Sequence, residues 1–176
     1  EYHFNNQVLH VINGYFPQGE SRKHPTKFPA KEKYYADLMR YVKDTFGADD
    51  KVIVMGDMNV AAADADVGIK PENAKRWLKT GKSAFLPEER EWLATLQSWG
   101  LTDTFRSMNA QDDRSYSWFD YRSRGFEQEP KSGLRIDLIL ASAAAMDELA
   151  TTGIDFAARA FEKPSDHCPI WADFSL

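Results

Sequence analysis

The sequence predicts an α/β or α+β domain with β-sheets at its core. Segments with strand-like alternation or short apolar runs are interspersed with segments of helical periodicity, an order typical of sheets packed against helices. The chain has 176 residues, of which 43 % are hydrophobic, enough for one buried core. Its length suits one domain over residues 1–176, and the sequence contains no repeat, low-complexity tract or linker that would divide it.

The first half of the chain is predicted to alternate strands with a long helix. Val8 to Ile12 is an apolar strand that ends at Asn13-Gly14, and a loop rich in Pro and Gly follows. From Pro29 to Phe46, apolar and aromatic residues recur at helical spacing, and Gly47 suits the stop. Lys51 to Met55 is short and rich in Val and Ile, which indicates a buried strand.

The second half continues the mixture. Pro71 to Leu78 and Pro87 to Trp99 are predicted helices, and the aromatic segment Ser115 to Tyr121 is strand-like. Leu134 to Leu140 is a predicted strand because its apolar residues alternate with charged ones. Two elements complete the chain: a short helix capped by Ser142 and running through Met146 and Leu149, and an alternating strand over Pro169 to Phe174.

Charge and hydropathy exclude several classes of protein. With 22 basic and 27 acidic residues the net charge is -5, which argues against binding to nucleic acid by bulk charge alone. An enzyme with local basic loops and a divalent cation remains compatible with it. No apolar run approaches the roughly 20 residues of a membrane-spanning helix. Glu1 to Asn6 lacks the pattern of a signal peptide, so we predict no membrane partner.

Cys168 is the single cysteine, so no internal disulfide can form and a reducing compartment fits best. A catalytic thiol is the alternative to a small buried hydrophobe, and the sequence favours the buried hydrophobe.

Asp57 and Asn59 follow a predicted buried strand directly, after Gly56. If the chain stays extended, the two side chains point to the same side and place an acceptor and a donor together at a strand end. Such a pair could bind a hard cation or hold a water near a phosphate. A turn that merely favours Gly, Asp and Asn is the alternative.

Three more polar residues lie beside predicted strands. His167 could act as a general base or as a donor to an oxyanion, unless it is a surface residue of a loop. Asp137 either pairs with Arg135 or orients a histidine. Tyr15 could contact a phosphate oxygen, or it is a core aromatic residue. These residue types fit phosphate hydrolysis better than acyl transfer, because no Gly-x-Ser-x-Gly motif is present.

The order of these motifs covers nearly the whole chain and resembles the exonuclease III family of abasic-site DNA repair enzymes, within the endonuclease/exonuclease/phosphatase superfamily. Gly56-Asp57-Met58-Asn59 and Ser165-Asp166-His167 mark the superfamily. The segments that narrow the resemblance to the repair enzymes are Asn13-Gly14-Tyr15-Phe16-Pro17 and Trp118-Phe119-Asp120-Tyr121-Arg122.

The resemblance implies a four-layer α/β sandwich of two packed mixed sheets flanked by helices, of which this chain would be the C-terminal part. We therefore expect an N-terminal portion of the family to be absent, including a Glu that is a principal magnesium ligand. Nothing in residues 1–13 replaces that Glu.

For the chemistry, the resemblance implies Mg²⁺-dependent phosphodiester hydrolysis, with Mn²⁺ as a substitute. Asp57 would position or deprotonate water or protonate the leaving group, and Asn59 would orient that water. His167 would hydrogen-bond the scissile phosphate, with Asp137 holding it in place, and Tyr15 would contact the phosphate. The implied metal ligands are Asp57, Asn59 and Asp166.

The implied partner is duplex DNA with abasic sites or 3′ ends, bound by a monomer in the bacterial cytoplasm. Basic side chains of residues 22–33 or 70–82 could contact phosphates. Trp118 and Phe119 could enter the minor groove or line a sugar pocket, unless they are core aromatic residues, and we expect one of the two to be a core residue. The predicted DNA contacts are Arg22, Lys27, Lys75, Arg76, Lys79, Trp118, Phe119, Arg122 and His167. Two alternatives stay open: a superfamily phosphatase acting on small phosphorylated substrates, and an inactive DNA-binding fragment.

Overall fold

The computed structural model describes residues 1–5 and 7–175 as a mixed α/β structure with two sheets, which confirms the predicted class. The strands are β1 (Tyr2–Phe4), β2 (Gln7–Tyr15), β3 (Lys51–Asp57), β4 (Leu101–Asp103), β5 (Asp137–Ser142), β6 (Leu149–Ile154) and β7 (Ile170–Phe174). The helices are α1 (Lys27–Thr45), α2 (Pro71–Thr80), α3 (Pro87–Gln97), α4 (Thr104–Met108), α5 (Ala143–Met146) and α6 (Phe156–Arg159). Short 3-10 helices occupy Asp64–Asp66 and Gly125–Glu127.

The larger sheet is mixed and has the strand order β1-β2-β3-β5-β4. Its centre joins β2 and β3 in parallel, while β5 runs antiparallel to β3 on the other side. Strands β6 and β7 form a separate antiparallel pair. The end of β3 therefore lies beside the end of β2 and the beginning of β5, and this is where the predicted polar motifs occur.

Both faces of the larger sheet are covered. On one face Val54 and Leu140 pack with Tyr35 of α1 and Leu93 of α3. The other face carries a second cluster, made by Leu9, Ile53, Ile139, Ala141 and Ala145 with partly buried residues of β7. Strands buried on two faces are apolar along their whole length, which explains the continuous apolar run at the start of β3.

Several predicted boundaries are corrected. Strand β2 continues through Asn13-Gly14, because both residues pair with β3. The predicted strand over Leu134 to Leu140 begins only at Asp137. The predicted strand over Ser115 to Tyr121 is wrong: it makes isolated bridges at Trp118, to Leu134 on one side and to His167 on the other. A segment that connects two neighbours at one residue lacks the continuous ladder of a strand.

The region after β5 also differs from the prediction. Helix α5 ends at Met146, and Leu149 begins strand β6. The Ser142 hydroxyl makes no capping bond, because it donates to the carbonyl of Asp50 and accepts from the amide of Val52. Within the described part of the chain, no helix has the length and apolar character needed to cross a membrane.

Cys168 is buried among Tyr116 and Phe119. Burial raises the pKa of its thiol to about 11, so the thiolate needed for a nucleophile is scarce at neutral pH. The prediction of a small buried hydrophobe is confirmed.

Candidate active site

Three adjacent strands align Tyr15, Asp57 and Asp137 in one row across the larger sheet. Tyr15 is the parallel register partner of Asp57, and Asp57 is the antiparallel partner of Asp137. Residues directly opposite each other on neighbouring strands project to the same face of a sheet. The alignment therefore places a phenol and two carboxylates side by side, although they are up to 122 positions apart in the sequence (137 minus 15).

The close approach of β2 and β3 depends on Gly56. Its φ is +128°, and a Cβ atom there would lie 2.0 Å from the carbonyl oxygen of Gly14. Only glycine fits a backbone of this conformation and at this distance. Gly56 therefore allows Asp57 to end the strand next to Tyr15.

Asn59 reaches Asp57 through a turn, and the expectation of an extended chain between them is corrected. The φ of Asn59 is +53°, a left-handed conformation that Asn adopts more readily than most residues. Its backbone amide and its Nδ2 each donate to a different carboxylate oxygen of Asp57, both at 2.9 Å. The Nδ2 atom also donates to the carbonyl of Phe16 at 3.0 Å. The predicted pairing of Asp57 with Asn59 is thus present, with Asp57 held in one orientation.

Two buried side chains of helix α1 hold the turn at Met58 and Asn59 through hydrogen bonds. The Nζ of Lys31 donates to the carbonyl of Asn59 at 2.8 Å, and the hydroxyl of Tyr35 donates to that of Met58 at 2.7 Å. Lys31 is itself paired with Glu89 at 2.6 Å, and both side chains are 0 % exposed. Lys31 lies within residues 22–33, whose basic side chains were expected to face phosphates, and for Lys31 this is wrong because its ammonium group points into the core. The only signal was the spacing of Lys31 and Tyr35, which puts both on one helix face.

His167 approaches the row from a loop. Its Nδ1 lies 2.8 Å from Oδ2 of Asp137, and its Nε2 lies 4.0 Å from Oδ2 of Asp57. Because an ionised carboxylate only accepts hydrogen bonds, Nδ1 carries a proton and donates it to Asp137. Arg135 pairs instead with Asp66 and Asp103, each at 2.7 Å. Of the two alternatives for Asp137, the orienting role is the one present.

The surroundings of the site raise the pKa of Asp57 and the pKa of His167. Burial, with the neighbouring charge of Asp137, raises the pKa of Asp57 to about 6. Burial works against protonation of His167, but the hydrogen bond and charge of Asp137 outweigh it and raise the His167 pKa above its usual 6.5. Near neutral pH Asp57 is therefore a carboxylate of unusually high basicity, beside a histidine biased towards its charged form.

A cation fits this cluster in part. One ligand atom from each of Asp57, Asp137 and His167 lies within 4.8 Å of the others. Mg²⁺ prefers oxygen ligands, which the two carboxylates offer, and a cation would offset the charge that burial makes costly. Asp166, predicted as a ligand, does not belong to this group of three, and its Oδ2 accepts a bond of 3.0 Å from Nε1 of Trp118. For Asn59, the amide nitrogen is the atom turned towards Asp57.

The predicted DNA contacts divide into exposed and buried residues. Lys75, Arg76 and Lys79 on α2 are exposed, as is Arg122. Arg22 and Lys27 are also exposed but pair with Glu88 and Glu20. Trp118 is partly exposed beside the His167 loop, whereas Phe119 is 0 % exposed. Phe119 is the core member of that pair, and the prediction that it contacts DNA is corrected because it presents no surface.

Comparisons with known proteins place almost the whole chain in one family. A family model described as the endonuclease/exonuclease/phosphatase family matches residues 2–167. The chain is 54 % identical over 167 residues to exodeoxyribonuclease III of Haemophilus influenzae, an alignment covering 95 % of this chain and 62 % of that relative.

Solved structures are similar over most of the chain. An AP endonuclease from Archaeoglobus fulgidus has a TM-score of 0.84 and 31 % identity, with coverage of 94 % of this chain and 61 % of that one. A 3′ phosphatase from Neisseria, bound to a product DNA hairpin, has a TM-score of 0.81 and 40 % identity, with coverage of 93 % and 60 %. The chain thus spans about three fifths of the length of these proteins.

Proposed function

The chain belongs to the endonuclease/exonuclease/phosphatase family, and we propose that it acts as a DNA repair phosphodiesterase. It would hydrolyse the phosphodiester bond 5′ to abasic sites and remove nucleotides or phosphates from the 3′ ends of duplex DNA. The observation that carries the proposal is the arrangement of Asp57, Asp137 and His167 around the aligned ends of β3 and β5.

Asp57 is the group that activates water. In the metal-free chain, burial raises the pKa of Asp57 to about 6, so the carboxylate is ionised at neutral pH yet basic enough to accept a proton as the water oxygen attacks phosphorus. The new bond joins this oxygen to phosphorus, the bond from phosphorus to the 3′ oxygen breaks, and the 3′ oxygen takes a proton from solvent water to become a hydroxyl. Asn59 keeps both carboxylate oxygens of Asp57 in place through its two hydrogen bonds.

His167 binds the phosphate. The Nδ1 atom of His167 donates to Asp137, so the other ring nitrogen, Nε2, faces Asp57. A phosphate oxygen would bind in the space between Nε2 and Asp57. In the charged form favoured by the raised pKa, Nε2 donates to a phosphate oxygen and stabilises the negative charge of the transition state. Tyr15 is 73 % exposed beside Asp57, where its hydroxyl is free to contact the same phosphate.

Mg²⁺ or Mn²⁺ is the proposed cofactor, and it would offset charge on the phosphate and on the leaving oxygen. Asp57 is one proposed ligand, because it belongs both to the acidic cluster and to the ligand set predicted from the sequence. Asp137 adds a second carboxylate in that cluster, and Asn59 and Asp166 remain proposed ligands on the adjoining turn and loop.

Duplex DNA is the proposed substrate. The exposed cations of α2 suit contact with phosphates, and partly exposed Trp118 beside the His167 loop suits stacking or a wedge near the scissile bond. A similar structure is described as an AP endonuclease and another as a 3′ phosphatase bound to DNA, which supports both abasic sites and 3′ ends as targets.

A nicking assay tests the proposal. The chain is incubated in Mg²⁺ with a duplex carrying one abasic site, beside Asp57→Asn and the control Asp64→Asn. Asp64 is an exposed carboxylate, so its variant should nick like the parent. We expect Asp57→Asn to be slower by at least about 100-fold.

Three results would contradict the proposal. A folded, monomeric parent that does not nick the duplex would show that the chain is not an abasic-site nuclease. Salt-sensitive duplex binding without turnover would indicate an inactive DNA-binding protein. Hydrolysis only of small phosphorylated compounds would indicate the phosphatase alternative.

A further inference from the structure

Asp137 and His167 form one hydrogen-bonded pair, but their segments do not pair with each other. Strand β5 is bonded to β3 and β4. In the described part of the chain, the backbone of residues 166–168 bonds to residues 117–119 instead. The amide of Phe119 donates to the carbonyl of Asp166, and that of Cys168 donates to the carbonyl of Ser117. The geometry of the pair therefore depends on a third segment.

Ser117 is the residue where this third segment meets both partners. Its Oγ accepts from the backbone amides of Ile136 and Asp137, at 3.1 and 3.0 Å. Its carbonyl accepts from Cys168, the residue after His167, at 2.7 Å. The side chain is fully buried. One residue thus contacts the backbone of Asp137 directly and that of His167 through its neighbour.

A hydroxyl is well suited to this position. Its oxygen has two lone pairs and can accept both consecutive amides at the start of β5. Alanine would leave two buried N–H groups without a partner, and such groups move towards another acceptor or lose stability. The segment itself has little room to adjust, because a Cβ at Gly133 would already lie 2.4 Å from the carbonyl oxygen of Trp118.

We propose that Ser117 is a positioning residue that sets the Asp137–His167 hydrogen bond through the backbone on either side of it. Its effect on catalysis rests on the proposed function, whereas its effect on the hydrogen bond does not. Removal of the hydroxyl displaces Asp137 from Nδ1 of His167, so that the imidazole loses its fixed orientation. The phosphate-binding nitrogen then samples directions away from the site.

Proton NMR of the metal-free full chain tests the structural part. The Nδ1 proton of His167, donated to a carboxylate, gives a low-field signal, which His167→Gln assigns by removing it. We expect Ser117→Ala to abolish that signal or to move it upfield. Asp137→Asn, which removes the accepting carboxylate, should shift the signal in the same direction.

Ser142 supplies the matched control. It is also buried, its Oγ also accepts a backbone amide, that of Val52 at 3.0 Å, and it ends the same strand that Asp137 begins. Ser142→Ala should leave the His167 signal unchanged. An unchanged signal in folded Ser117→Ala would overturn the proposal, as would equal loss in both variants. If Ser117→Ala does not fold, Ser117→Cys replaces it, with a smaller displacement expected because sulfur is a weaker acceptor.

Nicking kinetics test the catalytic part. We expect Ser117→Ala to lower kcat by about tenfold, which corresponds to the loss of one oriented hydrogen bond, with KM for the abasic duplex unchanged. An equal rise in KM, or no change in kcat, would contradict a positioning role. Should the parent itself fail to nick, the proposed function is wrong, and the NMR comparison still decides the role of Ser117.

Discussion

The two halves of the candidate site are held by different means. On the Asp57 side, a buried ion pair and a buried tyrosine fix the turn that follows β3. On the His167 side, hydrogen bonds from residues 117–121 hold a loop whose histidine side chain is 29 % exposed, compared with 12 % for Asp57. The Asp57 side is therefore the more deeply buried one, whereas the His167 side is a more exposed loop that buried residues such as Ser117 hold in place.

This difference predicts whether a substitution in each half lowers mainly stability or mainly activity. Breaking a buried charge pair leaves an ion without a partner in the core, so damage to the Asp57 side should appear first as lost stability. On the His167 side, water can replace the hydrogen bonds of exposed groups such as Tyr121, so loss of these should appear mainly as lost activity, and the fully buried Ser117 is the exception. The predictions below test this contrast, starting with the largest effect.

Lys31→Met should give the largest loss of stability, because it leaves the buried carboxylate of Glu89 without its cation. We expect the free energy of unfolding in urea to fall by about 3–5 kcal/mol. Lys33→Met is the control, because Lys33 lies two positions away on α1 and pairs with Asp37 at the surface. Little change is expected there. Equal losses in both variants would show that the Lys31 ion pair has no special role.

Asp57 should make the stability of the metal-free protein depend on pH. Its pKa is raised from 3.8 to about 6 on folding, so ionisation is less favourable in the folded state. The protonated form then stabilises the fold below about pH 4, and this contribution is lost as pH rises through 6. Over this window the parent should lose on the order of 3 kcal/mol more than Asp57→Asn does. Parallel pH profiles of urea unfolding for the two proteins would contradict this account.

Two tyrosines, one on each side of the site, allow a matched comparison with a smaller expected effect on stability. Tyr35 is buried and donates to the carbonyl of Met58, while Tyr121 is 51 % exposed and donates to the carbonyl of Pro164 near His167. Tyr35→Phe should lower the free energy of unfolding by about 1–2 kcal/mol, because a buried carbonyl loses its donor. Tyr121→Phe should lower it by less, since water can replace the hydroxyl. The contrast fails if thermal or urea unfolding ranks them in the opposite order.

The sequence predicted the residues that cluster at the candidate site better than the residues that hold them in place. Asp57, Asp137 and His167 lie at strand ends or in loops within recognisable motifs, so a local pattern identified them. Lys31 and Ser117 act on residues 28 and 20 positions away, respectively, and no local pattern encodes such partners. A lysine is usually solvated, and only the folded chain shows that Lys31 faces Glu89 in the core.

The lack of a local sequence pattern also explains the errors in the predicted secondary structure. Strands β1 and β4 have three residues each, too few for an alternating pattern to appear. The aromatic residues around Trp118 suggested a strand. Trp118 instead makes single backbone bridges to Leu134 and His167, and Phe119 packs in a small core cluster. Long elements with clear periodicity, such as α1 and β3, were predicted to within two residues at each end.

A double-mutant cycle in the nicking assay tests most directly whether the two sides act as one catalytic unit. The rates of Asp57→Asn, His167→Gln and the double variant are compared with that of the parent, at saturating and at limiting abasic duplex. Groups that act together in one transition state are strongly non-additive, so the double variant should be about as slow as the slower single variant. Rate losses that multiply would contradict this account, and so would a His167→Gln variant that nicks as fast as the parent.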